Sequence, residues 1–243
     1  TIPASYTAKC RNIQLNGATG TRIITEANAT LEIYGTIGSD TVNQSFSIIN
    51  NYTNATSFTV FKRLTSGPIF GEKWNGSTTY GMRNIIDVPS GITVTVPTNI
   101  KSIRLMVLNG TLDLSHNDIR LDSATTGGKG HLYVGSSGII KNVRAISKTA
   151  DLTQTCASVT VAGTLEIDST IATVAFRLIG KGIIKTKAVS LFTANPAVFD
   201  ASSATASGTV FEYARSGNQN VFGGASGVTY SGLMLSGSGQ KII

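Results

Sequence analysis

The sequence predicts an all-β protein, and within that class a parallel β-helix (β-solenoid). A short phrase recurs along the chain, in which Gly or another small residue precedes Thr and a few residues that alternate between apolar and polar. Such alternation is typical of a strand with one buried face, and its repetition along a chain indicates stacked strands. The clearest copies are Thr30-Leu31-Glu32-Ile33, Gly110-Thr111-Leu112-Asp113-Leu114, Gly163-Thr164-Leu165-Glu166-Ile167 and Gly208-Thr209-Val210-Phe211.

The spacing of the repeat indicates coils of about 24 residues. One coil of a parallel β-helix needs roughly that many residues for three short strands and their turns. An antiparallel β-sandwich is the alternative, because turn residues at roughly every 8–12 positions also suit that fold. The residues that we take as equivalent are Ile92, Leu112, Leu132, Leu165, Ile183, Val210 and Leu233.

The composition supports a folded β protein. The chain has 243 residues, of which 41% are hydrophobic, only 14% are charged and 26 are glycine. A chain of this length can bury a sizeable core, and no window shows sustained helical periodicity. No apolar run approaches the length of a transmembrane helix, and the chain begins at Thr1, so we expect a mature, processed protein without a membrane span.

The two parts of the chain differ in regularity. Residues 1–88 are predicted to form an N-terminal β cap or small β domain, and residues 89–243 the β-solenoid, because the repeat becomes steadier after a turn signal at residues 87–91. Within the first part, the apolar segments at residues 45–49 and 57–61 are interpreted as a β-hairpin or as a pair of longer strands.

The last residues of the chain carry apolar side chains without a polar cap. Leu233, Leu235, Ile242 and Ile243 are predicted to form an assembly end. Two explanations remain open at this stage, a cut in a longer precursor or coverage by another subunit.

The net charge is +7, and its distribution suggests a basic stripe. No acidic residue lies between Asp122 and Asp151 or between Asp168 and Asp200. In stacked coils the basic residues of these segments would align and attract a polyanion, although a solvated flank that protects the sheet is the alternative. The candidate polyanion-binding residues are Lys129, Lys141, Arg144, Lys148, Arg177, Lys181, Lys185 and Lys187.

The sequence carries little that points to catalysis. His116 and His131 lack metal-ligand spacing, and no nucleotide-binding loop is present, so we expect no catalytic residue, metal or cofactor. Acid, base and cation occur together only at Asp113, His116, Asp118 and Arg120, which we interpret as outward strand positions.

The two cysteines, Cys10 and Cys156, are too few for a disulfide framework. In a solenoid they would lie several coils apart, whereas a disulfide needs Cα atoms within about 7 Å. We expect two small core residues, with one disulfide as the alternative.

Part of the chain resembles a known repeat. The segments GTVFEY at 208–213, NQNV at 218–221 and VTYSGLMLSGSG at 228–239 resemble the repeats of large secreted surface proteins of Bacteroidota. Residues 88–96, 110–114 and 135–140 are similar to other coils of those proteins, although Ser231-Gly232 stands where they usually have Asn-Asn. The resemblance implies an adhesin-like or filament-forming extracellular protein, of a kind often exported by a type IX system.

These observations predict a non-enzymatic extracellular structural protein at the cell surface. It would assemble by solenoid stacking into a filament, sheath or adhesive fibre, because the backbone groups of an open coil pair with the next subunit. A carbohydrate-binding or carbohydrate-cleaving β-helix, such as an adhesin, lyase or phage-tailspike-like protein, is the alternative. The expected partners are further copies of the chain and an acidic polysaccharide or cell-surface glycan, with no specific nucleic acid.

Overall fold

The protein is a β-solenoid in which all strand pairs of the described residues are parallel. The computed structural model describes residues 1–15, 22–39, 47–50, 57–69, 83–97, 99–102, 104–121, 130–148, 157–168, 176–179, 181–190, 208–221 and 230–243. Within these ranges it contains strands and turns but no helix, and a 15-stranded sheet dominates it. Paired strand segments lie one coil apart in the chain, so each coil supplies the crossover that parallel pairing requires. The predicted β-solenoid is confirmed, and the antiparallel sandwich is not formed.

The first ladder stacks strands from the N-terminal part of the chain onto strands near its middle. Neighbours along this ladder are hydrogen-bonded in parallel. Its members, in order, are β1 (Thr7–Cys10), β4 (Thr30–Ile33), β7 (Phe58–Phe61), β9 (Arg83–Asp87), the start of β12 (Arg104–Leu121), the start of β13 (His131–Lys148), β14 (Ala157–Val161) and β16 (Phe176–Ile179).

The second ladder extends to the C-terminal part of the chain. Its members are β8 (Gly67–Pro68), β10 (Thr93–Thr95), the middle parts of β12 and β13, β15 (Thr164–Ile167), β17 (Ile183–Thr186), β18 (Val210–Tyr213) and β20 (Gly232–Leu235). A third, shorter ladder joins β11 (Ile100–Ser102) to the ends of β12 and β13. Separate parallel pairs are β2 (Ile13–Leu15) with β5 (Ile37–Ser39), β3 (Arg22–Thr25) with β6 (Ser47–Asn50), and β19 (Gln219–Asn220) with β21 (Lys241–Ile242).

The core is a set of side-chain columns that run along the solenoid. In β15, β17 and β18 every second residue is buried, as the sequence alternation predicts. Each buried aliphatic or aromatic side chain contributes roughly 1.5–3 kcal/mol relative to an exposed one. The column of the second ladder consists of Val94, Leu112, Ile140, Leu165, Ile184 and Phe211.

Four of the residues that the sequence suggested as equivalent are placed wrongly. Ile92 lies before β10, and the residue of β10 that pairs with Leu112 is Val94. The partner of Leu112 in β13 is Ile140, whereas Leu132 pairs with Leu105 in the first ladder. Ile183 and Val210 are one position away from the buried column and pair with each other on the outward face. The misplacement of Leu132 arises because β12 and β13 are long enough to contribute to all three ladders. A similar phrase therefore recurs within one coil.

A close approach of successive turns explains why the repeat begins with a small residue. A Cβ built on Gly182 would lie 2.3 Å from the carbonyl oxygen of Gly163, one coil away. No real Cβ tolerates that distance to a backbone atom. At Gly163 and Gly182 the Gly of the repeated phrase is therefore required by stacking and not only by the turn, whereas a Cβ on Gly208 would meet no atom closer than 3.8 Å.

The sheet continues across the predicted boundary at residue 88. Strand β9 pairs with β12, and β7 pairs with both β4 and β9 in the same first ladder. The hairpin interpretation of residues 45–61 is wrong, because β6 pairs in parallel with β3 instead of with β7. Strands of both parts thus belong to the first ladder. The division into a cap (1–88) and a solenoid (89–243) stays a prediction.

Candidate functional site

A row of alternating charges lies on the outward face of the second ladder. Asp113 is opposite Lys141 in the strand register, and their charged atoms Oδ2 and Nζ are 3.4 Å apart. Lys185 lies between Glu166 and Glu212 in the same way, with Nζ–O distances of 4.0 and 3.6 Å. Parallel stacking brings residues of successive coils within reach of each other, so opposite charges at equivalent positions stabilise the ladder.

Two further basic residues are paired on the same flank. Lys187 Nζ donates to Glu166 Oε1 at 2.5 Å, and this hydrogen bond raises the pKa of Lys187. Arg144 donates from Nε and Nη2 to the two carboxylate oxygens of Asp118 at 2.8 and 2.7 Å. This bidentate hydrogen bond raises the pKa of Arg144.

Half of the residues of the predicted basic stripe are therefore paired with carboxylates of the chain itself. Lys141, Arg144, Lys185 and Lys187 each have an acidic partner, which reduces the positive potential available to a polyanion. Lys181 is exposed and has no acidic partner in the part of the chain that the structure describes. Lys148 lies in β13 and Arg177 in β16, with side chains outside the description, and Lys129 lies outside the described residues.

A second group of charges follows the first ladder. Glu32 is contacted by Lys9 and Lys62 at 3.3 and 3.4 Å and accepts a hydrogen bond from the Tyr34 hydroxyl at 2.8 Å. Burial acts to raise the pKa of Glu32, but the Tyr34 hydrogen bond and the two lysines outweigh it and lower the pKa. Lys62 also lies 3.8 Å from Asp87, so this group spans strands β1 to β9.

The acid, base and cation cluster of the sequence does not form a common site. Asp113 Oδ1 accepts hydrogen bonds from the Ser115 amide and from Asn142 Nδ2, while Asp118 is held by Arg144. His116 turns to a different coil, where its Nδ1 is 2.7 Å from Asp168 Oδ2. Arg120 lies in β12, and its side chain is outside the description. Each carboxylate thus has its own partner, as expected of outward strand positions.

The predicted assembly end is exposed. Leu233 and Leu235 in β20 are 41% and 48% exposed, and Ile242 and Ile243 are 49% and 79% exposed. Strand β20 pairs with β18 along one edge only, and no other described strand pairs with it. This coil therefore offers both unpaired backbone groups and apolar side chains.

A buried glutamine organises the coil beneath that end. Gln219 is 1% exposed, and its Nε2 donates to the carbonyl oxygens of Thr186 and Ala188 at 3.1 and 2.8 Å. Its Oε1 accepts from the Arg215 amide and from Lys241 Nζ, each at 3.1 Å. The side chain supplies a donor to the Ala188 carbonyl and a second donor to the Thr186 carbonyl, which also accepts from the Ala214 amide.

The first cysteine is a free thiol at the edge of the core. Cys10 is half-buried and packs against the core cluster, and its Sγ lies 3.6 Å from the Glu32 carbonyl oxygen. Burial raises the pKa of Cys10, which lowers its reactivity at neutral pH. Cys156 lies outside the described residues.

A cavity at one corner of the solenoid is the main feature that the sequence did not suggest. It has a volume of about 680 Å³ and lies at the turns that follow β1, β4 and β7. Its lining residues are Lys9, Cys10, Arg11, Asn12, Tyr34, Gly35, Thr36, Arg63, Leu64 and Thr65. The only sequence signal is the occurrence of Lys and Arg at or directly after two of these strands, β1 and β7, which is too common to predict a site.

The described residues form neither a metal centre nor a helical membrane span. Among the described residues, no group of three or more His, Cys, Asp or Glu side chains is arranged to hold a metal ion. Within the same ranges, no helical segment has the length and hydrophobicity that a membrane crossing requires.

Comparison of the chain with protein-family models, with curated proteins and with solved structures gave no match.

Proposed function

We propose that this protein is a non-enzymatic structural β-solenoid that stacks end to end into a filament, sheath or adhesive fibre on the outside of a cell. The proposal rests on the fold, on the exposed coil at β20 and β21, and on the resemblance to secreted repeat proteins of Bacteroidota. The ion pairs along the flank add a further argument. They neutralise the charged side chains of the flank, so the ends of the solenoid are the surfaces more suited to association.

The observation that carries the proposal is the concentration of exposed apolar side chains on one coil. The exposed large hydrophobic residues of the described chain are Tyr6, Leu64, Ile139, Val189, Leu233, Met234, Leu235, Ile242 and Ile243. Five of these nine belong to the coil that contains β20 and β21. Contiguous exposed apolar surface of this kind marks an interaction site.

The occupant that we infer for this coil is a second copy of the chain. At the opposite end, β1 pairs only with β4, so among the described strands its outer edge is also open. Tyr6, directly before β1, is 67% exposed. A contact between two different open ends is heterologous, and because stacking along the solenoid axis translates each subunit, it repeats without closing into a ring.

The test is the assembly state of the purified full-length protein as a function of concentration. Light scattering and electron microscopy of the wild type are expected to show fibres or long oligomers. The double substitution Leu233→Glu and Leu235→Glu is expected to give monomers, because it places charge on the contact surface. Ile139→Glu, on an exposed flank position, is the matched control and should assemble like the wild type.

Strictly monomeric wild-type particles at high concentration would overturn the proposal. The same particles would be observed if further coils of a longer chain covered β20. Surface placement has its own test, since antibodies against the protein are expected to label intact, unpermeabilised cells of its source. Labelling only after permeabilisation would contradict an extracellular role.

A further inference from the structure

The corner cavity is formed because successive turns grow longer. The turn between β1 and β2 contains two residues, the turn between β4 and β5 contains three, and the turn between β7 and β8 contains five. The long third turn extends beyond the shorter ones, and a concave surface of about 680 Å³ results. This volume is within the range of small-molecule sites, roughly 300–1,000 Å³.

A buried cation without an acidic partner lines the cavity. Arg63 is only 7% exposed, and its Nη1 donates to the Pro68 carbonyl oxygen. Its Nε has no hydrogen-bond partner, and within the described part of the chain no carboxylate forms an ion pair with it. Burial lowers the pKa of Arg63, but an arginine stays protonated at neutral pH.

A buried guanidinium without an acidic partner lowers the free energy of unfolding unless another interaction offsets the loss of hydration. A buried charge that lacks its partner destabilises the fold, and native proteins generally pair it. The surrounding charge does not supply that partner, since Glu32 is already bound by Lys9, Lys62 and Tyr34. An anion bound in the cavity would therefore supply the ion pair that the Arg63 guanidinium lacks.

The other lining residues are held in place by their own contacts. Asn12 Oδ1 accepts hydrogen bonds from the Thr36 amide and hydroxyl at 3.0 and 3.4 Å, which fixes two successive turns together. A Cβ on Gly35 would lie 2.1 Å from Asn12 Oδ1, so only glycine permits this arrangement. The cavity wall is preorganised, which reduces the entropic cost of binding.

We propose that this corner is a binding site for an acidic sugar, with the carboxylate or sulfate group of the sugar bound by Arg63. The planar guanidinium fork matches either anion, and Arg11 adds positive charge at the lining, while Lys9 is paired with Glu32. Tyr34 and Leu64 provide apolar surface for the sugar ring, while Asn12 and Thr65 offer polar groups for its hydroxyls. The site does not depend on self-assembly of the solenoid.

The test is calorimetric titration of the full chain, kept below its assembly concentration, with defined probes. These are a galacturonic acid trisaccharide, a sulfated galactose trisaccharide, the neutral galactose trisaccharide and inorganic sulfate. Either acidic trisaccharide is expected to bind, and the two arms distinguish carboxylate from sulfate recognition. The neutral sugar and the free ion are expected to bind at least about 10-fold more weakly.

Substitutions distinguish a binding role of Arg63 from a structural one. Arg63→Met is expected to weaken binding of the acidic trisaccharide roughly 30-fold or more while leaving the melting temperature unchanged or raised, because it removes an unpaired buried charge. Arg63→Lys keeps the charge without the fork and is expected to bind with intermediate affinity. Lys181→Met is the matched control, which removes one positive charge at an exposed position outside the cavity.

Several results would overturn the proposal. They are failure of both acidic trisaccharides to bind, equal affinity for the neutral trisaccharide, tighter binding of inorganic sulfate than of the sugars, or unchanged affinity in Arg63→Met. If Arg63→Met does not fold, the wild type still decides the question, since an acidic trisaccharide should raise its melting temperature and the neutral one should not.

Discussion

Gly163 approaches the preceding coil so closely that a Cβ built on it would lie 2.1 Å from the carbonyl oxygen of Gly138. The two residues are 25 positions apart in the chain, and parallel stacking of β13 and β15 brings them together. The same contact recurs one coil later at Gly182. At these two positions the glycine of the repeated phrase is therefore a packing requirement between coils.

Gly163→Ala is expected to lower the free energy of unfolding by at least about 2 kcal/mol, because the backbone of one coil must move away from the next. The control is Gly91→Ala, at a position with a φ of +85° and no atom within 4 Å of the added Cβ. This control carries only the strain of a left-handed residue, about 1–2 kcal/mol. Chemical denaturation measures both, and equal losses would refute the packing explanation.

The carboxylate of Asp113 is expected to make the fold sensitive to acid. Burial acts to raise its pKa, but hydrogen bonds from Asn142 and the Ser115 amide, together with Lys141, outweigh it and lower the pKa. As the pH falls below about 4, the unfolded chain takes up a proton before the folded one does, so stability is lost in that range.

The substitution Asp113→Asn tests this linkage. It is expected to reduce stability at pH 7 by about 1 kcal/mol and to make the remaining stability less dependent on pH below about 5. Unfolding at a series of pH values measures both effects. Glu26→Gln, at an exposed residue without an ion pair among the described contacts, should follow the wild-type profile. A variant of Asp113 with the same acid dependence as the wild type would contradict the assignment.

Gln219→Leu is expected to destabilise the C-terminal coils by about 2–3 kcal/mol. The leucine has a similar volume, but it leaves the carbonyl oxygen of Ala188 without its donor and removes the second donor of the Thr186 carbonyl, which keeps only the Ala214 amide. Thermal unfolding of the variant is compared with that of Asn220→Ala, at the exposed neighbour in β19. A loss no larger than that of the control would show that water replaces the glutamine amide.

The buried pair Tyr213 and Tyr230 is expected to affect stability in alkali. Their hydroxyl oxygens are 2.7 Å apart, and burial of Tyr230 followed by this hydrogen bond raises its pKa well above the ordinary value. Above about pH 10 the unfolded chain releases this proton while the folded chain retains it, so stability falls as the pH rises.

Tyr230→Phe is expected to cost about 1 kcal/mol at pH 7 and to reduce the loss of stability in alkali. Ultraviolet absorbance titration of the folded protein should show one fewer tyrosine ionising late in the titration. Tyr6→Phe, at a 67% exposed residue, is the control. Ionisation of Tyr230 together with the exposed tyrosines would contradict the prediction.

The sequence could predict the fold because the relevant information is local. Alternation of apolar and polar residues within β15 or β18 specifies a strand with one buried face, and Gly before Thr indicates the turn that starts it. These features do not depend on the length of the coil. The pairing of strands within each ladder does depend on the length of the coil. For this reason the repeat in the sequence assigns Leu132 to the second ladder, whereas it pairs with Leu105 in the first.

The functional features depend on contacts between coils. The sequence by itself determined the strand type, the turn positions, the low charge content and the excess of basic residues. Only the tertiary structure decided that Lys185 faces Glu166 and Glu212, that β20 exposes its apolar side chains, and that Arg63 is buried without a carboxylate. The physical reason is that coil lengths vary, so which side chains of neighbouring coils meet is decided by the register of stacking and not by spacing in the chain.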